Sequence, residues 1–185
     1  MRWIVLGILV LAVLWVIWAY NLLVSLRNRI QNAWKQIDVQ LKRRHDLIPN
    51  LVEAVKGYMR YEQETLEKVM EARAKAVTSR SVKESAQAED LLTQSLGKIF
   101  ALMENYPDLK ANENVLRLQE ELTTTENQIA FARQYYNDLV MQFNVRQEVF
   151  PSSLIANFFN FHPSEFFAVP EAEKATPRVD LSLRA

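Results

Sequence analysis

Cysteine is absent from this 185-residue chain, which removes disulfides, thiol nucleophiles, thiolate metal sites and the acylated cysteine of a lipoprotein signal. Histidine occurs only as His45 and His162, without an H-E-x-x-H. A zinc site would want His, Cys or carboxylates in clusters. Glycine is nearly as scarce, at Gly7, Gly57 and Gly97. No phosphate-cradling loop and no G-x-S-x-G can be written from so few, and neither histidine lies in a recognisable triad context. An enzyme is therefore not expected, and no catalytic, cofactor-binding or metal-binding residue is assigned. An excess of charge is missing too: Lys plus Arg and Asp plus Glu each total 22. The neutral balance argues against a nucleic-acid partner.

What the chain has instead is one long apolar run. Ile4 to Ala19 carries no charge, and eleven of its positions are Ile, Leu or Val. At about −0.3 to −0.6 kcal/mol each near a helix centre, these favour insertion by roughly 3 to 7 kcal/mol. Trp3 to Leu23 as a helix spans roughly 31 Å, close to the ~30 Å hydrocarbon thickness of a bilayer. Trp3 at one end and Trp18 with Tyr20 at the other suit the two interfaces, where an aromatic ring meets both hydrocarbon and water. Ile4 and Leu11 fill the span between them, and Trp15 is expected to face lipid. A cleaved signal peptide fits less well, because the run is long for an h-region and no A-x-A-like site follows. Residues 1–23 are thus expected to anchor the chain in membrane lipids.

Orientation follows from the flanking charges. Arg2 alone precedes the span, whereas Arg27, Arg29 and Lys35 follow it, with Lys42, Arg43 and Arg44 beyond. That favours an outside N-terminus and a cytoplasmic C-terminal domain, a periplasmic domain remaining the alternative.

The remainder suffices for one soluble core, and its periodicity is helical. Leu118, Leu122, Thr125, Ile129, Ala132, Tyr136, Leu139 and Phe143 follow alternating steps of four and three, the seam of a packed helix. A second seam runs Val55, Met59, Glu62, Leu66, Val69, Arg73, Ala76, with its two charged members at the edges. A third runs Ala88, Leu92, Ser95, Ile99, Leu102. The stretch after the anchor, with Ile30, Trp34, Ile37 and Leu41, makes a fourth helix. The expected fold is all-α: an N-terminal transmembrane helix continuing into an antiparallel four-helix bundle over residues 24–168. Residues 169–185 are expected to form a disordered tail.

Thr78 to Ser85 and Tyr106-Pro107-Asp108 are expected interhelical turns. Pro49 supports two readings. Asp46 can cap a new helix with Pro49 in its first turn, making Arg44 to Ile48 a tight reversal. Against that, Ile37, Leu41, Arg44, Ile48 and Val55 nearly keep one apolar phase, as a single kinked helix would. The reversal is the slightly favoured reading.

Three polar or aromatic groups are candidate interaction surfaces. Lys42, Arg43 and Arg44 form the densest basic cluster, which could hold acidic headgroups or an acidic partner; the plainer reading is a solvated helix end, supported by Asp38 and Lys42 at i, i+4. Arg133 and Asn137 lie one turn apart on the clearest helix. They mark either a contact surface or an ordinary exposed face with one interhelical hydrogen-bond network. Phe158, Phe159, Phe161, Phe166 and Phe167, with Phe150, lie in a segment broken by Pro151 and Pro163. Apolar surface at roughly 25 cal/mol per Å² is costly to leave in water. These rings are expected to cap the bundle, with the membrane interface or a neighbouring subunit as alternatives.

Longer strings resemble a family. Tyr20-Asn21-Leu22-Leu23-Val24, Ala33-Trp34, Gln36 to Arg44 and Asp46 to Val52 are similar to the LemA family of bacterial membrane proteins. So are Tyr106 to Asn112, Leu118 to Leu122, Thr125-Glu126-Asn127, Phe131 to Gln134 and Tyr136-Asn137-Asp138, together with Pro151 and the Phe158 to Phe167 segment. The resemblance covers nearly the whole chain up to Phe167. It implies one N-terminal transmembrane helix, a helical bundle, and a bacterial cell (inner) membrane location, with no accepted activity or cofactor. It also implies genes that often neighbour those of HtpX-type membrane proteases. The functional expectation is a membrane-tethered scaffold that forms a homo-oligomer or binds another envelope protein. The alternative is an accessory factor for envelope proteolysis or stress response, partnered with an HtpX-type protease.

Overall fold

A computed structural model describes residues 1–167; the tail expected at 169–185 lies outside the described residues. The described chain is all-α. A long helix α1 (Arg2–Lys56) is followed by α2 (Gln63–Thr78), α3 (Val82–Met103), a single turn α4 (Pro107–Lys110), α5 (Glu113–Glu148) and the short α6 (Ser152–Phe158). No strand occurs among the described residues. At about 1.5 Å per residue, α1 is roughly 80 Å long and α5 roughly 54 Å.

The reversal favoured at Arg44 to Ile48 is not there: α1 runs unbroken through Pro49 to Lys56. The physical reason is a donor from another helix. A proline at position 49 cannot donate to the carbonyl four residues earlier, that of His45. Arg73 of α2 supplies the missing donor, its Nε reaching the His45 oxygen at 2.6 Å. The seam then holds its phase, with Ile37, Leu41, Arg44, Ile48 and Val55 all buried. The real reversal lies between Lys56 and Gln63, so the seam drawn from Val55 to Ala76 spans two helices, with Val55 buried at the end of the first and Met59 buried in the turn itself.

The other turns fall where the sequence places them. Between α2 and α3 the link is short, and Ser81 and Glu84 form a capping box: the Ser81 hydroxyl accepts from the Glu84 amide while the Glu84 carboxylate accepts from the Ser81 amide. Pro107 starts the α4 turn, and Asn112 caps α5 through its side-chain oxygen. Along α5 the expected seam is observed, with Leu122, Thr125, Ile129, Tyr136, Leu139 and Phe143 all buried.

The helices alternate in direction, and α5 descends beside α1 over most of its length. Asn112 lies by Tyr58 at the distal end, Tyr136 by Trp34 midway, and Phe143 by Phe161 near the base, where Phe161 meets Tyr20. Two apolar cores result. The proximal one gathers Ala19, Leu23, Ile30, Ile37, Ile129, Phe143 and Phe167. The distal one gathers Ile48, Leu51, Val55, Val69, Leu92, Ile99 and Leu122. Between them lies a layer of charge.

Candidate interaction surfaces and the polar layer

Arg44 belongs to this layer and not to a surface. Its guanidinium is fully buried, pairs with Glu89 of α3 and with Glu126 of α5, and donates to the Thr93 hydroxyl at 2.9 Å. The neighbouring His45 Nε2 donates to the second Glu89 oxygen at 2.7 Å. Burial pushes the Glu89 carboxyl up, but the His45 hydrogen bond and the Arg44 charge together outweigh it and hold the group below the usual carboxylate value. Lys42 and Arg43 do remain exposed. Neither reading of the basic cluster therefore survives for Arg44, because α1 continues for three more turns and the side chain points inward at the seam position.

The layer is closed at Arg44 and Glu89 but open at its rim, where Glu126 and Thr93 reach the surface. Arg44 and Glu89 themselves have no face toward solvent. The layer's effect is on packing: one guanidinium bonded to α3 and α5 ties three helices to a single axial register. Breaking such a pair costs about 3–5 kcal/mol, because the surviving charge stays buried.

Arg133 and Asn137 are brought together, but by a third group. Residues 161–167 run back from the base along α5 as an extended strap. Asn137 Nδ2 donates to the Phe167 carbonyl at 3.0 Å and its Oδ1 accepts from the Phe167 amide at 2.8 Å. Asn144, two turns along, makes the same paired bonds to Ser164, at 3.0 and 2.9 Å. Each asparagine presents its amide as a neighbouring strand would. Arg133 stacks its guanidinium over the Phe167 ring, 4.5 Å from the centroid, and faces Asp90 at 3.7 Å. Its desolvation, and then the nearby Arg44 charge, lower its pKa. These two residues hold the strap and do not form an external face.

The phenylalanines divide. Phe167 is buried against Trp34, with ring centroids 5.8 Å apart, and Phe161 is half-buried between Phe143 and Tyr20. These two cap the proximal core as expected. Phe150, Phe158, Phe159 and Phe166 remain exposed. In the anchor, Trp3, Ile4, Leu11 and Trp18 are exposed and Tyr20 stacks on Phe159 at 4.6 Å. Trp15, expected to face lipid, is half-buried and packs one side against the proximal core.

One apolar groove opens on the flank of the bundle between α1 and α5. Val39, Phe131 and Tyr135 line it with Lys35, Gln36 and Gln128, enclosing about 570 Å³. Single-sequence reasoning missed it, although Val39 and Phe131 stand off the buried seams of their helices and give the signal.

Comparison with known proteins agrees with this architecture. Residues 33–181 match the sequence model of the LemA family. The protein LemA of Metamycoplasma hominis is 28% identical over 155 residues, which is 83% of this chain and 71% of that protein. The N-terminal helix has the length and apolarity of a membrane span, which suggests the anchor.

Proposed function

The chain belongs to the LemA family, and from that premise we propose that it is a single-pass scaffold of the bacterial cell membrane, self-assembling or holding other membrane proteins and catalysing nothing itself. The observation that carries this reading is the unbroken α1. Anchor and bundle share one helix with no linker between them, so the bundle stands at a set height and orientation above the bilayer. Such an arrangement suits ordered contacts between neighbours in the membrane plane. An enzyme on a tether gains nothing from it.

The charges after the span favour a cytoplasmic bundle, with the short N-terminal tail translocated. The groove lined by Val39, Phe131 and Tyr135 is the contact face this reading favours, because its apolar side chains are exposed on an otherwise polar flank. Engineered cysteines at Val39 and Phe131, oxidised in native membranes, are expected to trap species of at least twice the 21.5 kDa chain mass or adducts with a partner. A strictly monomeric, partnerless product refutes the scaffold.

A further inference from the structure

The anchor is too short by itself for the bilayer it crosses. Only Arg2 to Leu14 stands wholly clear of the rest of the protein. Those residues span roughly 20 Å as helix, against a hydrocarbon core of about 30 Å. The missing length of about 10 Å corresponds to Trp15 through Tyr20 or Asn21. At that level α1 is no longer alone. Ala19 and Leu23 are buried in the proximal core together with Ile155 and Ala156 of α6, and Tyr20 stacks on Phe159.

The chain around α6 is written for the same environment. From Val149 to Phe161, thirteen consecutive residues carry no Asp, Glu, Lys or Arg. On α6, Ile155 and Ala156 turn inward, while Leu154 and Phe158, one turn apart on the opposite face, are 59% and 80% exposed. Phe150 beside them is 75% exposed. The end of α6 holds this arrangement firmly. Asn160 takes the left-handed conformation at φ 53°, and the Phe161 amide reaches back to the Ala156 carbonyl at 2.9 Å. This αL closure folds Phe161 onto Tyr20 and leaves Phe158 pointing outward.

Exposed polar groups border this face: Asn157 and Asn160 lie beside Phe158 and Phe159, and Arg146 and Glu148 end α5 just before Phe150. Arg27 lies over the Phe161 ring at 5.4 Å, and both Arg27 and Arg29 are exposed, at the height where phosphates would lie if Tyr20 marks the edge of the hydrocarbon. An amphipathic element buries its apolar face about 5–10 Å into the headgroup and acyl boundary. That depth matches the length the free anchor lacks.

We propose that the outer face of α6, through Phe150, Leu154 and Phe158, is a lipid-binding surface that sinks into the interface of the same bilayer α1 crosses. The base of the bundle then completes the span, with Arg27 and Arg29 among the headgroups. This goes beyond scaffolding: it rests only on α1 crossing the bilayer, and holds for a monomer as for an assembly.

The test uses the full chain in phosphatidylglycerol/phosphatidylethanolamine vesicles. Because the protein has no cysteine of its own, single nitroxide labels can be placed by Leu154→Cys and Phe158→Cys, with Leu9→Cys as the control in the span and Tyr61→Cys as the control at the distal turn. All four side chains are exposed, so the labels replace no core contact. Collision with oxygen and with a water-soluble nickel chelate is measured at each. The ratio of oxygen to nickel accessibility at 154 and 158 is expected to be several-fold above that at 61 and to approach that at 9. Nickel access at 158 equal to that at 61 overturns the proposal. So does a label at 158 immobilised and shielded from both reagents, which would mean that a second copy or another protein covers α6. The control at 9 reports separately whether α1 spans, and the groove crosslinks report separately on assembly.

Discussion

Replacing Arg73 by methionine removes the donor that completes α1 at Pro49 while keeping most of the side-chain stem in place. The bond at stake runs from the Arg73 Nε to the His45 carbonyl at 2.6 Å. Hydrogen bonds to charged groups contribute about 1.5–3 kcal/mol, and the half-buried position of Arg73 places this one at about 2 kcal/mol. For a chain of this size, that corresponds to a fall in Tm of about 4–8 °C. The Pro49→Ala change acts on the same carbonyl from the other side. It restores a backbone donor and relieves a helix-interior proline worth about 3 kcal/mol, so it is expected to stabilise. In the Pro49→Ala background, Arg73→Met should cost no more than about 0.5 kcal/mol, giving a coupling near 1.5 kcal/mol. The assay is urea unfolding of the full chain in detergent micelles, followed by helical circular dichroism, for all four proteins of the cycle. A coupling below about 0.5 kcal/mol would refute the claim that the guanidinium stands in for the amide that Pro49 lacks.

Three further outcomes follow from the polar layer and the strap. The folded-state pKa of Glu89 is depressed below its ordinary 4.5, so its contribution is fully present above that value and is lost as pH falls through the lower, folded-state value; Tm should decline below about pH 4.5. Glu89→Gln should lower stability at neutral pH by about 3 kcal/mol, because Arg44 loses its fully buried counter-charge, and should flatten the acid decline; an unchanged acid slope in Tm against pH would exclude Glu89 as its source. Asn137→Ala removes both bonds to the Phe167 backbone, at about 1 kcal/mol each, and should speed hydrogen exchange at the Phe167 amide while leaving that at Ser164, held by Asn144, little changed. Equal protection at Phe167 before and after the change would mean that Arg133 and Trp34 hold the strap without it.

How much of this was visible in the residues depends on the range of the forces involved. The α5 seam, the apolar anchor and the turns near Ser81 and Pro107 are set by neighbours within a few residues, and each is where periodicity and capping place it. Pro49 misled because its rescue comes from Arg73 on another helix, and no local signal weighs a donor that folding delivers. Arg44 was half legible, at an inward position between Leu41 and Ile48; Glu89 was not, because the seam drawn through Ala88, Leu92, Ser95, Ile99 and Leu102 passes beside it, whereas the buried one runs Ala86, Glu89, Leu92, Leu96, Ile99 and Met103. Opposite charges on two buried seams are the signature of an internal pair. Arg133 and Asn137 looked like surface because the strap that covers them follows more than twenty residues later, and nothing in α5 alone indicates a partner.

The continuity of α1 makes the molecule a lever with its fulcrum at the membrane surface. From Leu23 to Lys56 the arm measures about 50 Å, and membrane helices commonly tilt by about 20° as they adjust to hydrocarbon thickness. A change of that size in the anchor swings the distal turn sideways by about 17 Å. With the charged layer around Arg44 clamping α3 and α5 to the arm, the whole bundle must follow. Bilayer thickness would thereby become a lateral distance, felt by whatever stands beside this protein.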